Sequence, residues 1–398
     1  MLYTNNMDYF KYINPTVQKL QPSGIRKFFD IVSEDKSAIS LGVGEPDFDT
    51  PWLGRNAAIK SIQKGYTQYS SNCGMPRLRE LISQYYSLRY GVDYCPNEQI
   101  IVTVGASEAI DLALRTLVLP GEEVIIPDPS YVSYCPCVML AGGVPVPVKC
   151  PADNGFILTP ENLESVITEK TKALILPYPN NPTGGIMKKS DLEKICAVIK
   201  KHDLFVISDE IYSELTYADE GHVSIASLPD MAERSVVING FSKSFAMTGW
   251  RLGYVLAPHE IIYQMYKIHQ YTIMCAPTCA QYAAMSILEE ELKNGFATVT
   301  EMRDEYNVRR RFVYSSLKLM GLYAFEPQGA FYIFPDVSKL GFTGEDFANK
   351  LLERQHVAVV PGISFGNSGL NHVRISYAYS MQSLSKALDR IEDFVSKL

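Results

Sequence analysis

Long apolar runs are missing from this sequence: none reaches the roughly 20 residues that a helix needs to cross a bilayer. The opening M-L-Y-T-N-N-M-D lacks the basic stretch and apolar segment of a secretory leader, so the chain is expected to stay in the cytoplasm. A basic surplus is missing too. With 37 Lys and Arg against 44 Asp and Glu, the net charge of -7 argues against nucleic acid or an anionic membrane as partner. The eight cysteines are scattered; only Cys135 with Cys137 and Cys275 with Cys279 stand close, and neither spacing repeats as a zinc or thioredoxin pattern. Reduced, buried thiols are expected. The six histidines show no paired helical spacing, so metal catalysis is not expected either. No internal repeat or low-complexity tract is visible. Small molecules remain the natural ligands.

What is present is the material for a globular α/β chain. At 398 residues, 46% of them hydrophobic, it is long enough for one large domain and a smaller one. Apolar runs at Ile100–Val104, Glu123–Pro127, Ala173–Leu176, Leu204–Ser208 and Val236–Ile238 read as strands, and helical patterns lie between several of them, as at Ser190–Lys201. That alternation predicts a mostly parallel sheet, whose ligands collect at the carboxyl ends of the strands. From about Thr278 to Met320 the pattern becomes one long helical stretch, followed by short strand-like runs with glycine turns and a final amphipathic helix. Near the start, Asn14 to Phe29 reads as a helix candidate broken at Pro22-Ser23-Gly24, with I-R-K-F-F-D-I-V resuming the helical pattern. The expected division is 1–48 joining the small domain, 49–285 as the large domain and 286–398 as the small one.

The chain is organised around S-V-V-I-N-G-F-S-K-S-F-A-M-T-G-W-R-L-G-Y, residues Ser235 to Tyr254. Lys243 falls in the loop where a buried strand stops. An amine shielded there, near a second cation, has its pKa lowered and can form an imine with an aldehyde. Arg251, eight positions on, is that cation, and its fork of donors suits phosphate oxygens. Aldehyde with phosphate suggests pyridoxal phosphate. Taken alone, a Ser-Lys in a loop is usually a solvated charge, and an Arg before Leu-Gly is usually a surface ion pair.

Other strand ends add polar residues. Gly105-Ala106-Ser107-Glu108 opens an amphipathic helix whose first N–H groups, with the Ser107 hydroxyl, make a phosphate cradle, although a plain Ser N-cap looks the same. Tyr131 is placed to lay its ring on a planar ligand or to pack in the core. Asn181 is a neutral donor for a phenolate-type oxygen or a turn starter before Pro182. Asp209, at a strand end with Tyr212 following it, reads locally as an N-cap with a packing tyrosine; an ionised carboxylate buried there instead needs a cation, which a protonated pyridine nitrogen would be. Ser107, Tyr131, Asn181, Asp209 and Lys243 thus each follow a different strand. Gly44 can bring backbone close to a ligand or simply shape a turn before Pro46. Tyr66 and Tyr69, in a loop rich in Tyr, Ser and Gly, are either ordinary packing tyrosines or reach a ligand or a partner subunit. Arg374, inside V-R-I-S-Y, wants either a bound carboxylate or an internal acid.

The words G-E-P-D-F-D-T-P, T-V-G-A-S-E-A-I, P-N-N-P-T-G, S-D-E-I-Y, N-G-F-S-K-S-F-A-M-T-G-W-R-L-G-Y, G-A-F-Y-I-F-P and V-R-I-S-Y-A, in this order, resemble the class I/II pyridoxal-phosphate aminotransferases of fold type I over essentially the whole chain. The likeness is to the prokaryotic branch of aspartate, aromatic and N-acetyl-diaminopimelate aminotransferases, and S-D-E-I-Y-S-E-L-T-Y and P-S-G-I-R-K-F look most like the last. The resemblance implies a mostly parallel large domain with a smaller α+β domain, and pyridoxal 5'-phosphate held as an imine on Lys243. It further implies that Asp209 pairs with the pyridine nitrogen, Tyr212 and Asn181 bond the ring oxygen, and Tyr131 stacks on the ring. Ala106, Ser107 and Arg251 would hold the phosphate, with Ser242 nearby and Tyr69 supplied by a second subunit of a homodimer. Arg374 and the Gly44 backbone would take the substrate α-carboxylate, with Tyr131 and Asn181 beside it.

Two positions depart from the family pattern. Some members carry a phosphate-binding Ser where this chain has Gly240, and some that prefer acidic substrates carry a Lys where it has Ser107. The implied reaction is ping-pong transfer of an amino group from an amino acid to a 2-oxo acid such as 2-oxoglutarate. The alternatives are a β-C–S lyase with the same cofactor and a non-catalytic regulatory protein that binds it.

Overall fold

The computed structural model describes residues 7–24 and 37–398. The helical continuation expected at I-R-K-F-F-D-I-V lies outside the described residues. In chain order the strands are β1 Ile39–Ser40, β2 Ile100–Thr103, β3 Glu123–Asp128, β4 Val144–Lys149, β5 Thr171–Leu176 and β6 Phe205–Asp209. They continue with β7 Ser235–Gly240, β8 Gly253–Leu256, β9 Tyr332–Ile333, β10 Val357–Ala358, β11 Val360–Pro361 and β12 Val373–Ser376.

Seven strands form one sheet in the order β2-β8-β7-β6-β5-β3-β4. Only β8 runs against its neighbours, pairing antiparallel with β2 and β7, while every other pair is parallel. β7 shows why such a sheet is covered on both faces. All six of its residues are buried, and side chains alternate between faces along a strand. Val236 and Ile238 pack with Ala109, Leu112 and Ala113 of the Gly105–Leu117 helix, whereas Val237 packs with Phe241, Leu252 and Tyr254 in a separate core.

Two members of this sheet escape the sequence reading. β4 is V-P-V-P-V-K, and proline cannot donate to a ladder; with prolines at alternate positions a strand pairs on one side only, which is where β4 sits, at the sheet edge. β8 is only G-Y-V-L, too short to register as a run of its own. The stretch read as one helix from Thr278 to Met320 is two, Thr278–Asn294 and Ala297–Leu319. They are parted by Gly295 and Phe296, whose φ values of 71° and 65° are both left-handed.

β11, β12 and β9 form a second, antiparallel sheet, and β1 pairs in parallel with β10. The segment after β1 is fastened to the Ala297–Leu319 helix. Arg309 Nη1 donates to both Asp47 carboxylate oxygens at 2.8 and 2.7 Å, and the Tyr306 hydroxyl donates to the same carboxylate at 3.2 Å. Among the described residues no helix is long and apolar enough to cross a membrane, and no cluster of three or more His, Cys, Asp or Glu side chains could hold a metal ion.

β8 lies hard against the start of the Gly105–Leu117 helix. A Cβ at Gly253 would stand 2.6 Å from the Ala106 nitrogen and from the Gly105 carbonyl carbon, both of them backbone. Gly253→Ala is therefore expected to lower unfolding free energy by about 1–3 kcal/mol, the usual cost of overpacking. Urea denaturation followed by circular dichroism measures it, and an unchanged midpoint would show that this contact has slack.

Candidate active site

Because β2, β3, β5, β6 and β7 run the same way, their carboxyl ends gather at one edge of the sheet, where a cavity of about 700 Å³ opens. Ala106 and Ser107 reach it from beyond β2, Tyr131 from beyond β3, and Asn181 from beyond β5. Asp209 and Tyr212 come from the end of β6, and Ser242 and Lys243 from the end of β7. Gly44, Arg251 and Arg374 also line it. Tyr69 does not; it is 80% exposed. Tyr66 is exposed too, but stacks on Tyr282 of the same chain with ring centres 5.6 Å apart.

Lys243 stands on a single helical turn, Phe241–Ser244, not in the open loop expected from the sequence. Its Nζ donates to the Gly44 carbonyl at 2.6 Å and lies 5.9 and 5.7 Å from the ring centres of Tyr212 and Phe331. Burial pushes the amine down to about 8, Arg374 and Arg251 add to the shift, and the negative charges of Glu45 and Asp209 oppose it. Gly44 has no room for a side chain, since a Cβ there would run into the Tyr332 hydroxyl.

Asp209 ends β6 with its carboxylate enclosed. One oxygen accepts from the Tyr134 hydroxyl at 2.7 Å and the other from the Ile211 N–H at 3.2 Å. Burial raises its pKa to about 6; the two hydrogen bonds and Lys243 pull it down, and adjacent Glu210 adds to the rise. A cation brought to this carboxylate would restore its ordinary acidity.

Arg374, only 1% exposed, has no acidic partner among the described residues, so the internal ion pair that the sequence left open is not what holds it. Nη1 donates to Asn181 Oδ1 at 2.9 Å and Nη2 to the Gly42 carbonyl at 2.5 Å. The guanidinium lies 4.4 Å from the Tyr332 ring centre and 4.8 Å from that of Phe365. Its Nε, also buried, has no partner. That bond engages the Asn181 oxygen and leaves its amide NH₂ as a donor, and the Tyr212 hydroxyl meets that of Tyr332 at 2.8 Å. Tyr332 and Tyr134 are site residues that sequence reasoning missed. Tyr332 sits in the unbroken apolar run G-A-F-Y-I-F-P, which gives no sign of which ring faces the cavity, and Tyr134 is distinguished only by the acid it serves.

Arg251, which also lines the cavity, has a left-handed φ of 51° and donates from Nη1 to the Thr248 carbonyl at 3.0 Å. It forms no ion pair among the described residues. A Cβ at Gly105 would lie 2.7 Å from its Nη2, so glycine there lets the guanidinium rest against the first turn of the Gly105–Leu117 helix. The N-cap of that helix is Val104 and no side chain caps it in the usual way, which leaves Ser107 inside the first turn rather than serving as cap. Gly240 is equally constrained: a Cβ would come within 2.9 Å of Gly253 Cα, whereas Ser242, buried and lining the cavity, has its place. Unpaired N–H groups, a hydroxyl and a free guanidinium together suit a phosphate.

A family model described as aminotransferase class I and II matches residues 36–391 of the chain. The putative aminotransferase YugH of Bacillus subtilis is 51% identical over 97% of this chain and 99% of its own length. An aspartate aminotransferase of Pyrococcus abyssi is 48% identical, over 94% of this chain and 95% of its own. Among solved structures, an aromatic aminotransferase from Pyrococcus horikoshii superposes with a TM-score of 0.88 at 44% identity, covering 93% of this chain and 99% of that one.

The lowered basicity of Lys243 can be read directly. In protein free of small ligands, reductive methylation of Lys243 with formaldehyde, followed peptide by peptide in mass spectra, is expected to reach half its maximum near pH 8. Exposed lysines should do so near their ordinary value of about 10.4. Arg251→Gln removes a neighbouring positive charge, so it should move the Lys243 midpoint upward. A midpoint shared with the exposed lysines would refute the enclosure of this amine.

Proposed function

The chain belongs to the class I and II aminotransferases, and on that footing we propose that its cavity holds pyridoxal 5'-phosphate and carries an amino group from an amino acid to a 2-oxo acid, 2-oxoglutarate being the acceptor. The observation that carries this reading is one cavity lined by a lysine of lowered basicity, a buried carboxylate and two guanidinium groups without acidic partners among the described residues. When bound, the cofactor supplies a protonated pyridine ring that accepts the electron pair left at the substrate α-carbon.

The protein's own groups do the rest. Asp209, fixed by Tyr134 and Ile211, offers its carboxylate to the ring nitrogen. Ser107, Ser242, Arg251 and the N–H groups from Ala106 onward hold the phosphate, while Tyr131 covers one face of the ring. Tyr212 and the Asn181 amide donate to the ring oxygen. Arg374, with its fork already oriented by Asn181 and Gly42, binds the substrate α-carboxylate and so sets the α-carbon within reach of Lys243 Nζ. In its neutral form that amine takes the α-proton. Tyr69, exposed and outside this chain's cavity, serves the phosphate site of a second copy in a homodimer. The relatives named for aspartate and for aromatic substrates frame the choice of donor. Ser107, in place of a lysine, favours aromatic or other uncharged donors over aspartate.

Two measurements test this. Holoenzyme mixed with an amino donor alone should lose its cofactor absorbance band and regain it when 2-oxoglutarate is added, and steady-state kinetics should be ping-pong. Lys243→Ala should lower kcat by about 10²–10⁴-fold, the usual worth of general acid–base groups. Turnover by Lys243→Ala at the wild-type rate would defeat the proposal, and release of ammonia and pyruvate without an acceptor would turn it into a lyase. Arg374→Lys should raise KM for donor and acceptor alike by about ten- to a hundredfold, because hydrogen bonds to charged groups are worth about 1.5–3 kcal/mol. An unchanged KM would move the carboxylate site elsewhere.

A further inference from the structure

His269 is fully buried and takes no part in the chemistry above. It projects from the helix His259–Thr272, with Nδ1 2.6 Å from Glu108 Oε1 and Nε2 2.9 Å from the Asn72 carbonyl oxygen. The other Glu108 oxygen accepts the Val104 N–H at 2.5 Å, which draws the carboxylate back over the first turn of the Gly105–Leu117 helix. One imidazole thus joins three pieces of chain: its own helix, the helix start that carries Ala106 and Ser107, and the loop of residues 66–75 that presents Tyr69.

The hydrogen count in this joint is fixed by its acceptors. A carbonyl oxygen has no proton to give, so Nε2 carries one and donates it to Asn72. At 2.6 Å, Nδ1 and the carboxylate must share another, because two bare lone pairs would repel at that distance. Whichever atom holds this shared proton, the His269–Glu108 pair has no net charge. That matters because of where Glu108 sits. It directly follows Ser107, and an unpaired carboxylate in the first turn of a helix competes with any anion for the positive end of that helix.

We propose that His269 is a positioning residue for the cofactor: by pairing with Glu108 it removes a negative charge from the phosphate end of the cavity. This rests on the reading of Ser107 and Arg251 as the phosphate site. The effect is electrostatic, so it belongs to the phosphate and not to the ring.

Affinity of the full-length apoprotein for pyridoxal 5'-phosphate and for pyridoxal, which lacks the phosphate, separates the possibilities. His269→Gln keeps a donor for Asn72 but leaves Glu108 charged. It should weaken pyridoxal phosphate binding by about fivefold or more while leaving pyridoxal binding alone. Adding Glu108→Gln to that variant should restore affinity to about the wild-type value. His269→Asn keeps a donor for Glu108 but supplies no charge; it should show the same selective loss, and it replaces the Gln variant if the latter does not fold. Equal losses for both ligands, no rescue by Glu108→Gln, or wild-type affinity in both His269 variants would overturn the proposal. The underlying reading has its own control in Arg251→Gln. If that change spares pyridoxal phosphate affinity, the phosphate site itself has been misassigned.

Discussion

An amine that is to be neutral near physiological pH has to be kept from the protons of bulk water, and most of what surrounds Lys243 serves that need. Aromatic rings wall it, a backbone carbonyl takes one of its hydrogens, and two guanidinium groups press their charge on it. The want of an acid beside Arg374 then has a reason. A carboxylate that neutralised the guanidinium would also cancel the positive field that helps hold the lysine's basicity down. Asn181, a neutral acceptor, orients Arg374 without doing so. Glu45 and Asp209 pull in the other direction, and Glu45 is itself engaged by a hydrogen bond from Thr248 at 2.8 Å.

Beneath the cavity floor a second set of charges is handled by different means. Asp209 and Glu210 are adjacent buried carboxylates, but at the end of a strand successive side chains point to opposite faces, so Asp209 looks into the cavity and Glu210 away from it. Glu210 Oε1 accepts from Ser208 and Ser224 at 3.1 and 2.7 Å, and His222 Nε2 stands 3.2 Å from Oε2, an ion-pair distance without hydrogen-bond alignment. Farther out, Glu214 accepts from Arg89 Nε and Nη2, at 2.9 and 2.5 Å. Asn239, near the end of β7, bridges Tyr86 and Ser213. Buried polar groups that are hydrogen-bonded to one another resist displacement, since moving any one strands its partners. The network therefore fixes the ends of β6 and β7 relative to each other, and those ends carry Asp209 and Lys243.

Much of this was legible in the letters. The alternation of apolar runs and helical patterns gave the sheet and the strand ends, and Ser107, Tyr131, Asn181, Asp209 and Lys243 were named from those ends alone; all five line one cavity. What could not be read has physical causes. Strand direction leaves no trace in composition, so the reversed β8 was invisible. The prolines of β4 argue against a strand until its edge position is known. Tyr332 and Tyr134 act through hydroxyl contacts with residues 120 and 75 positions away, which no local pattern encodes. His269 belongs to the same class: nothing near it in sequence announces Glu108.

The reversed strand has one more effect. A parallel strand delivers its last residue to the carboxyl edge, whereas β8, running the other way, begins at that edge with Gly253. Arg251, two residues earlier, is therefore left at the cavity by the chain's entry into β8, just as Lys243 is left there by its exit from β7. A single hairpin crossing thus supplies both the buried amine and a cation that acts on it, with only seven residues between them. Their separation is set by one covalent span instead of by the packing of distant elements. Swelling or loosening of the sheet would carry the two groups together, whereas an insertion or deletion between residues 244 and 250 would move one cation relative to the other.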